Sequence, residues 1–265
     1  MMALRDLLNL QQADIPVISF VGAGGKTTAM FTLAAELRAA GKAVMVITTT
    51  AMYVPQKEPV DHQWIHPTLL PRCFPIKMEN GTVHPQIMVW GSGIQRGDSG
   101  GDKLTGISLD AVSRWMEDHS GVPLLVEADG SRKRPVKAPA DHEPVIPVST
   151  KMVIGVIGLN AMGAPVSVES VHRLDPFCRV TESQPGDGIS VDHLRRLIFH
   201  EKGLFKDAPP AAAKIVLLNQ ADTVQRRLMA ANLAEQVMKS DGGVQGVVTA
   251  QLHPTEYRLL WGGRR

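Results

Sequence analysis

The chain has 265 residues, 44% hydrophobic and 20% charged, a balance that excludes a disordered polypeptide and supplies side chains for a sizeable core. Its formal charge of +2 comes from scattered Lys and Arg residues, which argues against a dedicated nucleic-acid or membrane-surface binder. The two cysteines, Cys73 and Cys178, have no CxxC partner and no His at ligand spacing, so neither a structural zinc site nor a disulfide framework is expected.

The opening run MMALRDLLNLQQADIP is amphipathic and charged early, without the basic start and unbroken apolar stretch of a signal peptide. No apolar run approaches the roughly 20 residues that span a bilayer. A cytoplasmic protein is expected. Apolar spacing predicts a short helix over Leu4 to Gln12. Pro16 to Val21 is an apolar run ending at glycines and predicts a buried strand. Gly22-Ala23-Gly24-Gly25-Lys26-Thr27-Thr28 follows, opening a helix over Lys26 to Ala40 that Gly41 stops.

Strand, glycine loop and helix in this order form the setting of a phosphate-binding loop. Glycines let successive N–H groups curl inward at phosphate oxygens, and the helix start adds partial positive charge. Lys26 reaches the β- and γ-phosphates, and the Thr27 hydroxyl ligates magnesium. As a loop side chain, Lys26 is expected to face solvent and contribute little to the core. In the GxxxxGK[ST] pattern the first glycine falls on Phe20, so the loop resembles the compact GTxGKT type of amide ligases as much as the common one. The expected ligand is GTP or ATP with Mg2+.

Ala43 to Ile47 predicts the next strand, reached by a right-handed crossover and therefore parallel. It runs into Thr48-Thr49-Thr50, at the sheet edge where nucleotides sit; an ordinary β-branched strand end is the plain alternative. Residues from about 55 to 106 are punctuated by Pro and Gly and read as a loop-rich insertion with one weak strand, Ile87 to Trp90. Ser108 to His119 predicts a helix with Ser108 near its N-cap. Pro123 to Val126 predicts a strand that runs into Glu127-Ala128-Asp129-Gly130. Residues two apart share a strand face, so Glu127 and Asp129 both turn toward the phosphates. Asp129 is assigned to magnesium with Thr27, and Glu127 to orienting an attacking water, with an exchange of roles left open.

The basic run Arg132 to Lys137 either clamps phosphates or an anionic substrate, or is a solvated loop. His142, Glu143 and His172 are candidate acid–base groups. Met152 to Ile157 predicts a buried strand, Val191 to His200 a helix, and Lys214 to Leu218 a strand followed by Asn219-Gln220-Ala221-Asp222. That tetrad is similar to the guanine-reading NKxD of GTPases, with Gln220 in place of Lys. Asn219 and Asp222 are the candidate base-binding residues, Asp222 accepting from guanine N1 and N2, and GTP is slightly favoured over ATP. Val248-Thr249-Ala250 stands where GTPases carry the backbone loop that meets guanine O6. Asp222 reads equally as a first-turn acid complementing a helix over Thr223 to Lys239. Val244 to Thr249 predicts the last core strand and Glu256 to Trp261 an edge strand. The alternation predicts one α/β domain over residues 1–265, a three-layer P-loop NTPase-like fold with a mostly parallel central sheet.

VGAGGKTT, ITTTAMY, VEADGSRKRPVKAPADHEPVIP, VIGLNAMGAPV with VHR, and LNQAD occur in this order. Together they resemble the YqeC family of accessory proteins for selenium-dependent molybdenum hydroxylases. The resemblance spans nearly the whole chain. It implies a role in making or inserting a selenium-containing molybdenum cofactor, and a molybdenum hydroxylase or cofactor-maturation protein as partner. Cys73 and Cys178 are weighed as carriers of a sulfur or selenium adduct, but nothing near them in sequence lowers a thiol pKa. The expected activity is slow, magnesium-dependent hydrolysis of the nucleotide. The alternatives are a small-molecule kinase, with the Arg132 to Lys137 loop as lid and the acceptor in the insertion after Thr50, and a nucleotide-switched delivery module with little turnover.

Overall fold

The computed structural model describes residues 3–10, 17–56, 58–67, 69–71, 74, 84–97, 100–252 and 257–264, the last of these as backbone. The amino-terminal helix α1 is one turn, Leu4–Leu7; residues 11 and 12 of the expected helix, Pro16 of the expected first strand, and Cys73 lie outside the described residues. Strand β1 (Val17–Gly22) is buried along its whole length, as a strand covered on both faces must be. Helix α2 (Lys26–Ala39) returns over one face to β2 (Val44–Thr48).

Next come β3 (Ala51–Tyr53), β4 (His62–Ile65), β5 (Ile87–Gly91), β6 (Gly93–Arg96) and β7 (Asp102–Thr105). The described residues of this stretch carry more strands than the single weak one expected in a loop-rich insertion. β5 is fully buried and pairs in parallel with β2, β4 extends the same sheet beyond it, and β3, β7 and β6 form a separate antiparallel sheet. Pro and Gly between short strands hide their periodicity from the sequence. Asp61 fixes the start of β5, accepting from the Ile87 amide at 2.7 Å while Arg38 of α2 binds both its oxygens at 3.0 Å.

Helix α3 (Leu109–Asp118), capped by the Ser108 hydroxyl as expected, leads to β8 (Leu124–Glu127). The two-residue strand β9 (Val136–Lys137) precedes the long β10 (Thr150–Gly158) and a 3-10 turn at Leu159–Ala161. Strand β11 (Val171–His172) pairs with β9, and an unanticipated helix α4 (Leu174–Thr181) follows, with Pro176 tolerated in its first turn. Helix α5 (Val191–Phe199), β12 (Ala213–Asn219), α6 (Val224–Lys239), β13 (Val244–Leu252) and β14 (Tyr257–Arg264) complete the chain. Glu256, at the expected edge strand's start, lies outside the described residues.

The main sheet has the order β14-β13-β12-β10-β1-β8-β2-β5-β4, parallel except for the β13–β14 pair. Alternate β1 residues enter opposite cores: Ile18 and Phe20 pack with α1 and α2, Val17 and Val21 with the side that holds α3 to α6. The architecture is a three-layer α/β fold around a large, mostly parallel sheet. β8 and β10 flank β1 directly, so the carboxyl ends of β1, β8, β10 and β12 open at one edge. No helix among the described residues is long and apolar enough to cross a membrane.

Candidate functional site

At the end of β1 the chain turns through Gly24 (φ +85°) and Gly25 (φ +123°) into α2. Both positions require glycine. A Cβ on Gly24 would lie 2.3 Å from the Gly158 amide nitrogen, and one on Gly25 would lie 2.3 Å from Asn219 Nδ2. Three loop amides have protein acceptors: Gly22 donates to Asp129 Oδ2 at 3.0 Å, Ala23 to Val156 O at 2.9 Å, and Gly24 to Arg134 O at 3.2 Å. These three amides are therefore engaged within the protein and do not form the inward curl anticipated for the whole loop. The amides of Lys26, Thr27 and Thr28 precede the first intrahelical bond, Ala29 N–H to Gly25 O, and no side chain caps this helix start.

Lys26 does not face solvent. Its side chain is 2% exposed, and its ammonium donates to Gly22 O at 2.9 Å while lying 3.1 Å from Asp129 Oδ1 and 3.9 Å from Glu127 Oε1. Burial alone would push this ammonium toward neutrality; Asp129 and Glu127 outweigh burial and raise its pKa above the ordinary lysine value. The Thr27 hydroxyl donates to Glu127 Oε2 at 2.7 Å. Burial raises the Glu127 pKa, opposed by Lys26 and the Thr27 hydrogen bond. Glu127 and Asp129 thus converge on Lys26 as their spacing implied, but Glu127, not Asp129, is the carboxylate beside Thr27.

Asp129 belongs to a buried chain of alternating charges. Lys137, whose side chain is 0% exposed, lies 3.1 Å from Asp129 Oδ2 and 2.9 Å from Glu143 Oε2, and donates to Gly130 O at 2.6 Å. Glu143 accepts from Arg173 Nε at 3.1 Å. Burial would raise the Glu143 pKa, but Lys137, the Ala140 amide and Arg173 hold it below the usual carboxylate value. The β9–β11 ladder sets His172 opposite Lys137, and burial followed by the charges of Lys137 and Arg173 depresses its pKa to about 4. Arg173, Lys103 and Tyr53 were not singled out in the sequence; the VHR triplet was the one available signal for Arg173.

The three threonines after β2 divide. Thr48 donates to Glu127 O at 3.0 Å, joining the paired ends of β2 and β8, and Thr49 donates to Val145 O at 2.6 Å. Thr50 reaches the cavity, its hydroxyl buried and without a hydrogen-bond partner. Asn219 is buried and clasps two segments, donating to Gly24 O at 2.8 Å and accepting from the Leu252 amide at 3.0 Å. Asp222 stands apart: its side chain is 44% exposed and pairs with Arg226 at 2.6 Å, while Gln220 (φ +64°) lines the cavity instead. Cys178 is a half-buried thiol on α4. Among the described residues no cluster of three or more His, Cys, Asp or Glu side chains is arranged to hold a metal.

One cavity of about 520 Å3 is bounded by residues 24–28, 50–53, 130–135 and 172–173, with Lys103, Glu127, His142, Glu143, Asn160 and Gln220. Six Lys or Arg residues line it, Lys26, Lys103, Arg132, Lys133, Arg134 and Arg173, against the carboxylates Glu127 and Glu143. Both carboxylates are already paired within the protein, so the cavity presents net positive charge to a ligand.

The sequence model of the family described as YqeC protein matches residues 18–175, which run from β1 into α4 and contain the glycine loop, the β8 acids and the Lys137–Glu143–Arg173 chain. Asn219 and Asp222 lie beyond that match. The chain is also 32% identical over 238 residues to a protein of Escherichia coli K12 named uncharacterized protein YqeC, covering 90% of this chain and 89% of that one. No solved structure matches. With more than half its length in the family match and that relative aligned nearly end to end, the chain belongs to the YqeC family.

Proposed function

We propose that this protein is a P-loop NTPase-like protein that binds GTP or ATP with magnesium and hydrolyses it slowly, as an accessory in maturing a selenium-containing molybdenum cofactor. The observation that carries the nucleotide reading is the meeting of Lys26, Thr27, Glu127 and Asp129 at the uncapped start of α2, the first three lining a cationic cavity at the carboxyl ends of adjacent parallel strands. The accessory role rests on the motif order and family membership; a molybdenum hydroxylase or a cofactor-maturation protein would be the partner.

The residues present fit a magnesium ion. Mg2+ needs only one or two protein oxygens because it keeps waters and takes phosphate oxygens. Thr27 Oγ1 and Glu127 Oε2 are hard oxygen donors 2.7 Å apart, and these two would hold the ion. Asp129, enclosed by Lys26, Lys137 and the Gly22 amide, suits a positioning role better than the metal role its spacing first suggested. When bound, the ion would offset charge on the phosphate oxygens. The α2 amides would grip the phosphates, and Asp129 and Glu127 keep Lys26 charged for the same task. Hydrolysis breaks the bridging P–O bond to the terminal phosphoryl group, the water oxygen remaining on the released phosphate.

Phosphoryl transfer to a small molecule is the second reading, favoured by the cationic cavity wall beyond the loop. Calorimetry with Mg–GTP and Mg–ATP, followed by product analysis, tests all of this. Phosphate release supports the hydrolase, a phosphorylated small molecule the kinase, and tight binding without turnover a delivery module. Failure of both nucleotides to bind would remove the proposal. The base preference is read from competition of GTP, ATP and XTP on wild type and Asp222→Asn. Since Asp222 must leave Arg226 to read guanine, equal GTP and ATP affinities would make it a helix-start residue only.

A further inference from the structure

We infer that the cavity wall formed by Arg132, Lys133 and Arg173 is a second anion subsite, which holds a small phosphorylated ligand at the same time as the nucleotide. The inference rests on reading the residue 25–28 end as the nucleotide site.

Location is the first argument. Four successive ion pairs separate the loop lysine from the wall: Lys26 to Asp129, Asp129 to Lys137, Lys137 to Glu143, and Glu143 to Arg173. Lys26 and Arg173 are thus the two terminal cations of one chain of paired charges, and both line the same cavity. Charge supply is the second. Lys26 and the α2 start already answer a magnesium-bound triphosphate. Five further cations line the cavity; Arg173 among them is paired with Glu143, and since both lining carboxylates, Glu127 and Glu143, are already engaged, the cavity keeps net positive charge.

Backbone conformation is the third argument and the most specific. Seven non-glycine residues among those described have φ in the left-handed region, and four of them line this cavity: Arg132 (φ +48°), Lys133 (φ +60°), Arg173 (φ +69°) and Gln220 (φ +64°). Arg132 and Lys133 are the central pair of a turn closed by the Arg134 amide on Ser131 O at 2.9 Å. A turn with positive φ at both central residues selects Asn-Gly or Gly-Gly, not Arg-Lys. Strained residues held against preference gather at ligand sites, and here the strain aims long cationic side chains at the cavity. Arg132 and Arg173 offer planar donor pairs matched to phosphate oxygens, and Lys133, now over the Tyr53 ring at 4.6 Å, adds a mobile point charge. His172, kept neutral beside them by burial and by Lys137, offers a ring nitrogen to the rest of the ligand without adding charge.

The test is titration with inorganic phosphate of protein saturated with Mg2+ and a non-hydrolysable nucleoside triphosphate, followed by calorimetry or phosphorus NMR. One phosphate per chain is expected to bind. Lys133→Gly, which gives the turn the residue its geometry prefers, should leave the melting temperature unchanged or higher and nucleotide affinity within twofold, yet weaken phosphate binding at least tenfold. Arg173→Gln should weaken phosphate binding similarly. Phosphate that binds only when nucleotide is absent, or a second phosphate indifferent to both substitutions, would overturn the subsite. If neither nucleotide binds but phosphate binds in a Lys133-dependent way, the nucleotide reading and simultaneous occupancy both fail, and what stands is a single anion site on this wall.

Discussion

Lys26 combines two demands that the sequence presented as one. A phosphate-loop lysine is expected to reach a ligand, yet this ammonium is also the buried counter-ion of Asp129. Lys26→Ala should therefore do more than abolish nucleotide binding. Removing one partner from a buried ion pair costs about 3–5 kcal/mol, but Lys137 still faces Asp129 at 3.1 Å, so a loss of about 2 kcal/mol is expected. For a chain of this size that lowers the melting temperature by roughly 4–8 °C. Thermal unfolding and calorimetry on the same samples check both effects; an unchanged melting temperature would mean that the pair contributes nothing. His172 gives a prediction of different sign. The unfolded chain takes up a proton on this imidazole near its ordinary value of 6.5, the folded protein only near about 4. Between those values the unfolded state binds more protons, so stability falls as pH drops from about 6.5 to about 4. The Glu143 contribution is lost lower, as pH falls below its ordinary value of 4.5. His172→Gln should flatten the upper window and leave the lower one, as denaturant midpoints across pH would reveal.

Between elements, the clasp at Asn219 joins three segments that the sequence keeps far apart. Its amide holds Gly24 O in the glycine loop and its carbonyl oxygen holds the Leu252 amide at the end of β13. Asn219→Ala would leave both backbone groups buried and unpaired, at about 1–3 kcal/mol each before relaxation. A loss of roughly 2–3 kcal/mol is expected, with weaker nucleotide binding because Gly24 is freed to shift. A variant with wild-type stability would remove the clasp from the account. This function differs from the base reading that the NQAD tetrad suggested for Asn219, though the position was legible: an Asn ending an apolar strand in a parallel sheet. β1, the loop and α2 were legible because two independent signals coincide there, an apolar run and a helix start around glycines. Strands β4, β6 and β7 were not, since four-residue strands with half-exposed faces carry no clear period. Lys137 was hardest. Within SRKRPVK it reads as one more solvated cation, and only the pairing of β9 with the distant β11 buries it between Asp129 and Glu143.

Over the whole molecule, two apolar cores clamp the sheet from both faces, so the carboxyl ends of β1, β8, β10 and β12 are fixed relative to one another. A cavity built on such an edge is preorganised, which suits binding small ligands more than wrapping a large partner. An accessory of this kind would act on a small cofactor precursor, cycle with nucleotide, and not remain as a subunit of the enzyme it serves. In a host that makes a selenium-dependent molybdenum hydroxylase, deleting the gene should then lower hydroxylase activity while leaving the amount of hydroxylase polypeptide unchanged. Supplying the gene back at low expression should restore activity, because a turning-over accessory is needed in less than equal amount. The Thr27→Ala variant, which removes a half-buried hydroxyl at the start of α2 together with its contact to Glu127, should fold but fail to restore it. Lys133→Gly should also fail if the second subsite holds the precursor. Hydroxylase activity that survives the deletion would sever the protein from this pathway while leaving the nucleotide reading to stand on the binding data, and a rescue that requires equal amounts of both proteins would replace the catalytic accessory with a stoichiometric partner.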